Sequence, residues 1–389
     1  MTPPPPTCRA GRPRVLFYTS FPSPVTGQNV AAETLYGFLQ GVADRERIDT
    51  AVLGGRLHGG AVERLGRAVV TLRRLRASLR RSRPDVLYLV LSSSGFGRLR
   101  DLATIAIARS RVDRIVGHVQ VGDFAASLDR PGLRRASRAL LDRVDTVLSL
   151  SAGLAGPIRC ATAAAVRVIP NTASSELSVS ERDVEAKRAR RAGAPTVRVA
   201  FVSNMLPNKG FEETAAGVAL YNASRPARPA TVDFVGAWPS PDRRAAFEAR
   251  LDALGIAGAS RVWGAVQDRD RIRELYLEAD VALLPTRYVH EALPVTLVEA
   301  LATGTPVVGT DWAALPDLVT PETGVPLADR TAGSVAEALR ALADPETWLA
   351  KSRGARALYD ASYHPDLVRA AFLDALGLED VSEAAPDPR

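Results

Sequence analysis

The feature that most constrains the fold is a repeated pattern of short β-branched or apolar runs, each followed by a stretch with helical character. Runs this apolar predict strands buried on both faces, as in a parallel sheet covered by helices. In the first half of the chain the runs are 14–19, 50–54, 85–91, 114–121, 145–150 and 166–169. The pattern restarts with runs at 197–202, 231–235, 261–264, 280–284 and 306–309. The sequence therefore predicts two α/β units in tandem.

The domain boundaries follow from a charged segment, 180–195, that lies between the two series and lacks a clear apolar stripe. The chain has 389 residues, more than one hydrophobic core serves well. We expect a helix near the C-terminus to pack back on the first domain, and the last residues to be frayed. We predict an N-terminal Rossmann-like domain at 1–175, a linker at 176–195 and a C-terminal Rossmann-like domain at 196–362. The returning helix is predicted at 363–380 and the frayed tail at 381–389. Ligands of such folds bind at the carboxyl ends of the strands, so we expect a site in the cleft between the domains.

The composition excludes several classes of protein. Cys8 and Cys160 lie far apart and match no metal or redox spacing, which argues against a disulfide framework and favours a reducing compartment. No apolar run approaches the roughly 20 residues that span a bilayer, and the first residues do not resemble a signal peptide, so we expect a cytoplasmic protein. The net charge of +7 comes almost entirely from arginine, without zinc spacing or interleaved aromatics. We therefore expect no nucleic-acid partner and favour a phosphorylated ligand.

The strongest chemical signal is a pair of glutamates, Glu291 and Glu299, placed eight residues apart in the second unit. Glu291 falls in a loop after the run 280–284, whereas Glu299 falls inside a predicted helix. Eight residues span about 12 Å when fully helical. Glu291 could thus approach a sugar, while Glu299 accepts hydrogen bonds from ribose hydroxyls, as carboxylates do in dinucleotide folds.

The start of the same helix predicts a phosphate site. Pro294 suits the first helical turn, because the missing N–H of proline costs nothing there. The N–H groups of Leu293, Val295 and Thr296 would then point out of the helix, where they could bind a diphosphate.

Three further loops follow predicted strands. Lys209, after the run 197–202, is a compact point charge suited to a phosphate. Gly27, after the first strand, would let the backbone approach a ligand closely, although a plain turn explains it equally well. His118 and Gln120 lie two residues apart and would project from one face of a strand.

The segment from Glu291 to Val308 closely resembles the E-x7-E motif of retaining GT-B glycosyltransferases, the large group usually called family 4. The resemblance covers residues 14–376 and is sharpest between 199 and 319. It implies an α/β fold of GT-B architecture, in which two Rossmann-like domains face each other across a cleft. It also implies retaining, metal-independent transfer of a sugar from a nucleotide-diphosphate sugar, without a cofactor, to a sugar, glycolipid or small-molecule acceptor hydroxyl.

The resemblance also implies roles for individual residues. Lys209 matches the family's phosphate-binding lysine, whereas Asn204 stands where relatives usually have an arginine. Backbone near Val266 would meet the nucleobase, and the Gly27 loop would contact the donor phosphates and the acceptor. Relatives have a histidine that faces the reacting sugar, and either His118 or Gln120 fits that position.

Two other patterns have competing interpretations. The triplet Asp268-Arg269-Asp270 mimics an Asp-x-Asp metal motif, but helix capping explains it better, and we expect no metal site. The arginine-rich amphipathic stretch 64–83 either rests weakly on the inner face of an anionic membrane or covers a core as a solvated helix.

Two alternative functions remain open at this stage. Asn204 and the uncertain histidine allow a nucleotide-sugar-binding partner protein of reduced activity. A GT-B epimerase acting on the nucleotide sugar is the other alternative; it would need acid–base groups in the N-terminal domain, where Asp123 and His118 are the nearby candidates.

Overall fold

The computed structural model describes residues 12–22, 26–50, 60–130 and 132–379. The chain divides into two compact units, with one boundary after Pro170 and another before Asp366, so that the C-terminal residues return to the first unit. Each unit contains a six-stranded sheet in which every neighbouring pair of strands is parallel.

The first unit has the sheet order β2-β1-β3-β4-β5-β6. Its strands are β1 (Arg14–Thr19), β2 (Asp44–Asp49), β3 (Val86–Val90), β4 (Arg114–Val119), β5 (Thr146–Ser149) and β6 (Ala165–Val168). Its helices are α1 (Gly27–Phe38), α2 (Ala61–Arg81), α3 (Gly95–Ala108), α4 (Phe124–Leu128), α5 (Arg134–Leu141), α6 (Ala152–Arg159) and, from the C-terminal part of the chain, α14 (Pro365–Leu376).

The second unit has the sheet order β12-β11-β10-β7-β8-β9. Its strands are β7 (Val197–Val202), β8 (Ala230–Val235), β9 (Ser260–Gly264), β10 (Val281–Leu284), β11 (Val307–Thr310) and β12 (Gly324–Leu327). Its helices are α7 (Glu181–Ala192), α8 (Phe211–Ala223), α9 (Pro241–Ala253), α10 (Arg269–Glu278), α11 (Val295–Ala302), α12 (Ala332–Ala343) and α13 (Pro345–Leu358), and the π-helical turn Tyr359–Tyr363 follows α13.

Two strands differ from the sequence-based prediction. The second strand is Asp44–Asp49 rather than 50–54, a range of which 51–54 lies outside the described residues. It carries five charged residues because it is the edge strand, where charge discourages pairing with other chains. β12 was not predicted, because its four residues include Pro326; proline within a sheet is tolerated at an edge.

Helix α14 packs on the first unit. Phe372 is fully buried, and its ring lies 6.3 Å from that of Phe17 and 5.8 Å from that of Tyr88, both on neighbouring strands. This aromatic cluster ties the end of the chain to the core under β1 and β3. The expected frayed tail, 381–389, lies outside the described residues.

The segment 176–195, which we expected to link the domains, lies within the second unit. Its helix α7 buries two cations: Lys187 donates to the carbonyl of Tyr276 at 2.8 Å, and Arg191 pairs with Asp280 at 3.1 Å. Burial lowers the pKa of Lys187 well below its usual value. Two of the charges in the predicted interdomain linker, Lys187 and Arg191, are therefore buried and hold α7 against α10 and the start of β10.

Helix α2 fits both interpretations of the stretch 64–83 in part. Leu75 and Leu79 are fully buried in the core of the first unit, whereas Leu65 and Val69, about three and two turns before Leu75, are exposed. The C-terminal half of α2 thus covers a core, and its N-terminal half presents apolar side chains to solvent. In the described ranges, no helix has both the length and the apolar character needed to cross a membrane.

Candidate active site

The carboxyl end of the second sheet brings Lys209 and Glu291 together. The Nζ atom of Lys209 lies 2.7 Å from Oε2 of Glu291 and 4.7 Å from the ring centroid of Tyr288. The two charged side chains are only 13% and 9% exposed. The pair is therefore a largely buried, hydrogen-bonded ion pair, in which each charge depends on the other for compensation.

Local backbone geometry produces this contact between residues 82 positions apart. The loop after β7 meets the loop after β10 through the N–H of Arg287, which donates to the carbonyl of Asn208 at 2.8 Å. Gly210 then turns with φ of 94°, and a Cβ atom there would lie 2.5 Å from the carbonyl oxygen of Pro285. Only glycine combines this left-handed conformation with such a close approach.

Glu299 lies on α11 and is almost completely buried, at 2% exposure. Its Oε1 accepts a hydrogen bond from Nη2 of Arg269, the first residue of α10. Burial raises the pKa of Glu299, and the guanidinium opposes that shift. The carboxylate that we expected at the ribose is thus already engaged with a cation.

The helix start differs in detail from the prediction. Pro294 is the N-cap rather than a member of the first turn, and the helix begins at Val295. The N–H groups of Leu297 and Val298 donate to the carbonyl of Pro294 at 3.1 and 3.3 Å. No side chain caps this end, so Val295 and Thr296 present the first backbone N–H groups of α11, the kind of group that binds anions. Leu293 precedes them, and its carbonyl accepts from Asn171 at 2.6 Å.

Asn204 has a structural partner. Its Oδ1 accepts a hydrogen bond from the N–H of Ala237 at 3.1 Å, which joins the loops after β7 and β8. A side chain at the intervening Gly236 would collide with the carbonyl of Ser203, so the loops are in close contact. An arginine here would lose this cross-link, because a guanidinium has no acceptor.

The interpretation of the Asp268-Arg269-Asp270 triplet as a helix cap is confirmed. Oδ1 of Asp268 accepts from the N–H groups of Asp270 and Arg271 at 3.0 and 3.3 Å. Val266 lies half-buried in the loop just before this cap. Across the described ranges, no three histidine, cysteine, aspartate or glutamate side chains are grouped as a metal site.

In the first unit, His118 and Gln120 contact each other as expected for neighbours on one strand face. Nδ1 of His118 lies 2.7 Å from the hydroxyl of Tyr88 and 3.3 Å from Nε2 of Gln120. With the Gln120 amide in this orientation its nitrogen donates, which assigns Nδ1 as the acceptor and places the ring proton on Nε2. Burial lowers the pKa of His118 to about 3, and the ring is therefore neutral at physiological pH.

These two side chains also present buried polar atoms. Among the described residues, neither Nε2 of His118 nor Oε1 of Gln120 has a hydrogen-bond partner. Because buried polar groups are normally satisfied, one donor and one acceptor at the end of β4 are available to a ligand.

Gly27 is the first residue of α1, whose N-cap Thr26 accepts from the N–H of Asn29 at 3.2 Å. Residues 23–25 of its loop lie outside the described residues.

The sequence did not predict Tyr288 and Arg269 as parts of the site. No motif marks Tyr288, and Arg269 was considered only within the capping triplet.

The chain is similar to known proteins in sequence and in fold. Residues 196–344 match the family described as glycosyl transferases group 1. The chain is 28% identical over 270 residues to a 2-deoxystreptamine N-acetyl-D-glucosaminyltransferase from Streptomyces fradiae, with 69% of this chain and 57% of the relative covered. It is 31% identical over 258 residues to a 2-deoxystreptamine glucosyltransferase from Streptomyces kanamyceticus, with 64% and 60% covered. The matches thus span less than two thirds of either relative.

The fold has close counterparts of known structure. Anabaena Alr3699/HepE in complex with UDP and glucose superposes with a TM-score of 0.68 at 16% identity, over 93% of this chain and 99% of that one. Neighbours of this kind confirm the α/β class and the GT-B architecture. The matched family and the two curated relatives are all described as glycosyltransferases. The chain has the GT-B architecture, and its residues 196–344 match the family model of glycosyl transferases group 1.

Proposed function

We propose that this protein is a glycosyltransferase that transfers a sugar from a nucleotide-diphosphate sugar to an acceptor hydroxyl, with retention of configuration and without a metal ion. The observation that carries the proposal is the largely buried Lys209–Glu291 pair at the carboxyl end of the second sheet. Glu299 lies eight residues further along the same motif, on α11. The matched segment 196–344 contains all three residues.

The chemistry assigns the leaving diphosphate to Lys209 and the first N–H groups of α11. Negative charge builds on the diphosphate as the glycosidic bond breaks, and donors fixed in a water-poor site stabilise it without reorganisation. In the free protein the ammonium is neutralised by Glu291. Donor binding would exchange this partner for phosphate oxygens, which leaves Glu291 to accept hydrogen bonds from the sugar hydroxyls.

The nucleoside end of the donor is assigned to Glu299 and to the backbone near Val266. Glu299 would accept hydrogen bonds from the ribose hydroxyls. Val266, in the loop before α10, would meet the base. Through its hydrogen bond with Ala237, Asn204 stabilises the loop after β7, which contains Lys209. It does not take over phosphate binding from the arginine that relatives usually have at this position.

His118 and Gln120 are assigned to hydrogen bonding with the transferred sugar rather than to proton transfer. A general base works best when its pKa lies near the operating pH, whereas burial lowers the pKa of His118 to about 3. Its Nε2–H can donate, and Oε1 of Gln120 can accept. The same observation argues against His118 as the acid–base group of an epimerase and leaves Asp123 as the other candidate in this unit.

The relatives suggest which substrates to test. The two curated relatives are named as transferring N-acetyl-D-glucosaminyl and glucosyl groups in connection with 2-deoxystreptamine, and HepE binds UDP and glucose. We propose UDP-sugars as donors and a small aminocyclitol such as 2-deoxystreptamine as acceptor. We also propose a cytoplasmic location, with at most weak peripheral contact between an anionic membrane and the exposed apolar face at the start of α2, and with no nucleic-acid partner.

The experiment is a transfer assay with purified protein, UDP-N-acetylglucosamine or UDP-glucose, and 2-deoxystreptamine, in the presence of EDTA. Mass spectrometry detects the glycoside, and the proton coupling constant at the anomeric carbon reports whether configuration is retained. Donor without acceptor is the control: slow hydrolysis to free sugar fits a transferase, whereas a new nucleotide sugar identifies an epimerase. Absence of both transfer and hydrolysis across a panel of nucleotide sugars favours the binding-partner alternative.

A further inference from the structure

Arg269 stands between two features that the proposed function uses, the base-side loop that contains Val266 and the ribose-side carboxylate of Glu299. It is the first residue of α10, held in place by the Asp268 cap. Its Nη2 donates to Oε1 of Glu299, and its side chain is 21% exposed whereas that of Glu299 is 2% exposed. The contact reaches from one helix to another across 30 residues of sequence.

The ionisation of Glu299 depends on this contact with Arg269. Burial raises the pKa of the carboxyl group, and Arg269 is the cation that lowers it. The other titratable groups close to the pair are Tyr276 on α10 and Tyr359 after α13, whose pKa values are raised by burial, and Glu176, which acts on Arg269. Within the described ranges, Arg269 thus supplies the positive charge that compensates Glu299.

The geometry leaves the pair incomplete without a ligand. Arg269 donates to Oε1 of Glu299, and no hydrogen bond reaches Oε2 from the residues that the structure describes. Nε of Arg269 is buried and has no acceptor among the described residues. The second carboxylate oxygen thus offers the acceptor to which a ribose hydroxyl can donate.

We propose that Arg269 is a positioning residue for the nucleotide: it keeps Glu299 ionised in its buried setting and holds one oxygen, so that the other oxygen accepts the ribose hydroxyls. The inference rests on the proposed function, because it assumes that a nucleotide binds at Glu299. Without the guanidinium, a buried carboxyl group takes up a proton more readily and then presents a donor where the ribose needs an acceptor.

The test is UDP binding by titration calorimetry between pH 5.5 and pH 8.5, with 2′,3′-dideoxy-UDP as the comparison ligand that lacks the ribose hydroxyls. We expect wild-type affinity for UDP to vary little over this range. Arg269→Met should bind UDP progressively more weakly towards the acidic end, by up to tenfold per pH unit below the pKa of the unpaired carboxyl group, because that group takes up one proton. Its preference for UDP over the dideoxy analogue should shrink towards that of Glu299→Gln.

Two further variants exclude a merely structural effect. Arg269→Lys retains the charge and should recover most of the preference for UDP at neutral pH. In Arg269→Met/Glu299→Gln the pair is neutral, so the fold is not strained by a buried charge. This double variant should bind UDP no more weakly than Glu299→Gln alone, because Arg269 acts through Glu299.

The outcomes separate the two proposals. If wild type binds UDP through Glu299 but Arg269→Met shows the wild-type affinity, pH profile and preference, the role of Arg269 is wrong and the function stands. A loss that is equal at every pH, with the preference intact, also overturns it. If wild type binds none of the UDP, GDP, ADP and dTDP series, the proposed function fails and the nucleotide role of Arg269 fails with it. The pH dependence of unfolding of Arg269→Met, measured without ligand, then still shows whether Arg269 keeps Glu299 ionised.

Discussion

Replacing Lys209 with methionine removes a cation from a buried ion pair and from the proposed phosphate site in one step. The two consequences can be separated because they depend on different partners. Stability depends on Glu291, whose oxygen lies 2.7 Å from the ammonium, whereas turnover depends on the diphosphate of the donor. The same substitution should therefore lower both stability and turnover, but a second substitution at Glu291 should restore only stability.

The structure sets the expected magnitudes. Glu291 is 9% exposed, so Lys209→Met leaves a nearly buried carboxylate without its cation, at a cost of about 3 kcal/mol in the free energy of unfolding. Lys209→Met/Glu291→Gln removes both charges, which should reduce that cost to about 1 kcal/mol, the value of one ordinary hydrogen bond. Loss of one transition-state donor should lower kcat by about a hundredfold or more, and by more than it raises the donor KM.

Urea unfolding gives the stability, and the transfer assay with saturating donor gives kcat. Lys351→Met serves as the matched control, because Lys351 lies on α13 in the same unit and bonds only to a carbonyl of Pro321 in the described contacts. It should remain close to wild type in both measurements. If Lys209→Met turns over within tenfold of wild type, or if the double variant regains turnover together with stability, Lys209 does not stabilise the leaving group.

Three other expectations test the remaining assignments. Burial lowers the pKa of His118 to about 3 in the folded protein, so the stability of wild type should fall relative to His118→Gln as pH decreases from 6.5 towards 3. The expected difference in the free energy of unfolding, measured with urea, is about 2 kcal/mol at pH 5. The same pH dependence in both proteins would contradict a neutral, buried ring. Gly210→Ala should lower the free energy of unfolding by about 2 kcal/mol or more, because φ is 94° and Pro285 occupies the space of a Cβ. Gly258→Ala, with open space around it, is the control, and equal urea midpoints for the two variants would refute the argument. EDTA should leave transfer unchanged, and activity lost with EDTA and restored by magnesium or manganese would place a metal in the site.

Much of the fold could be predicted because a parallel sheet requires strands that are apolar on both faces. The runs at 86–90 and 281–284 consist entirely of buried residues, and local composition alone marks them. The pattern fails at one edge of each sheet, where burial no longer dictates composition. β2 is charged and β12 contains a proline, so neither carries the signal by which the central strands are recognised.

The candidate site divides along the same physical line. Glu291, Lys209 and Glu299 could be identified because their spacing along strand–loop–helix units places them at one edge of a sheet. Arg269 could not, because its importance comes from a contact between two helices, and the local sequence already explains its neighbour Asp268 as a cap. The motif contains the acids that we propose to meet the ligand. The cations that compensate these buried acids can come from any part of the chain that packs against them. In this protein the compensating cations stand 82 and 30 residues from the acids they serve. Each acid of the motif is thus defined jointly with a cation that lies outside it, and substitutions at Lys209 and Arg269 should affect the site as strongly as substitutions at the glutamates themselves.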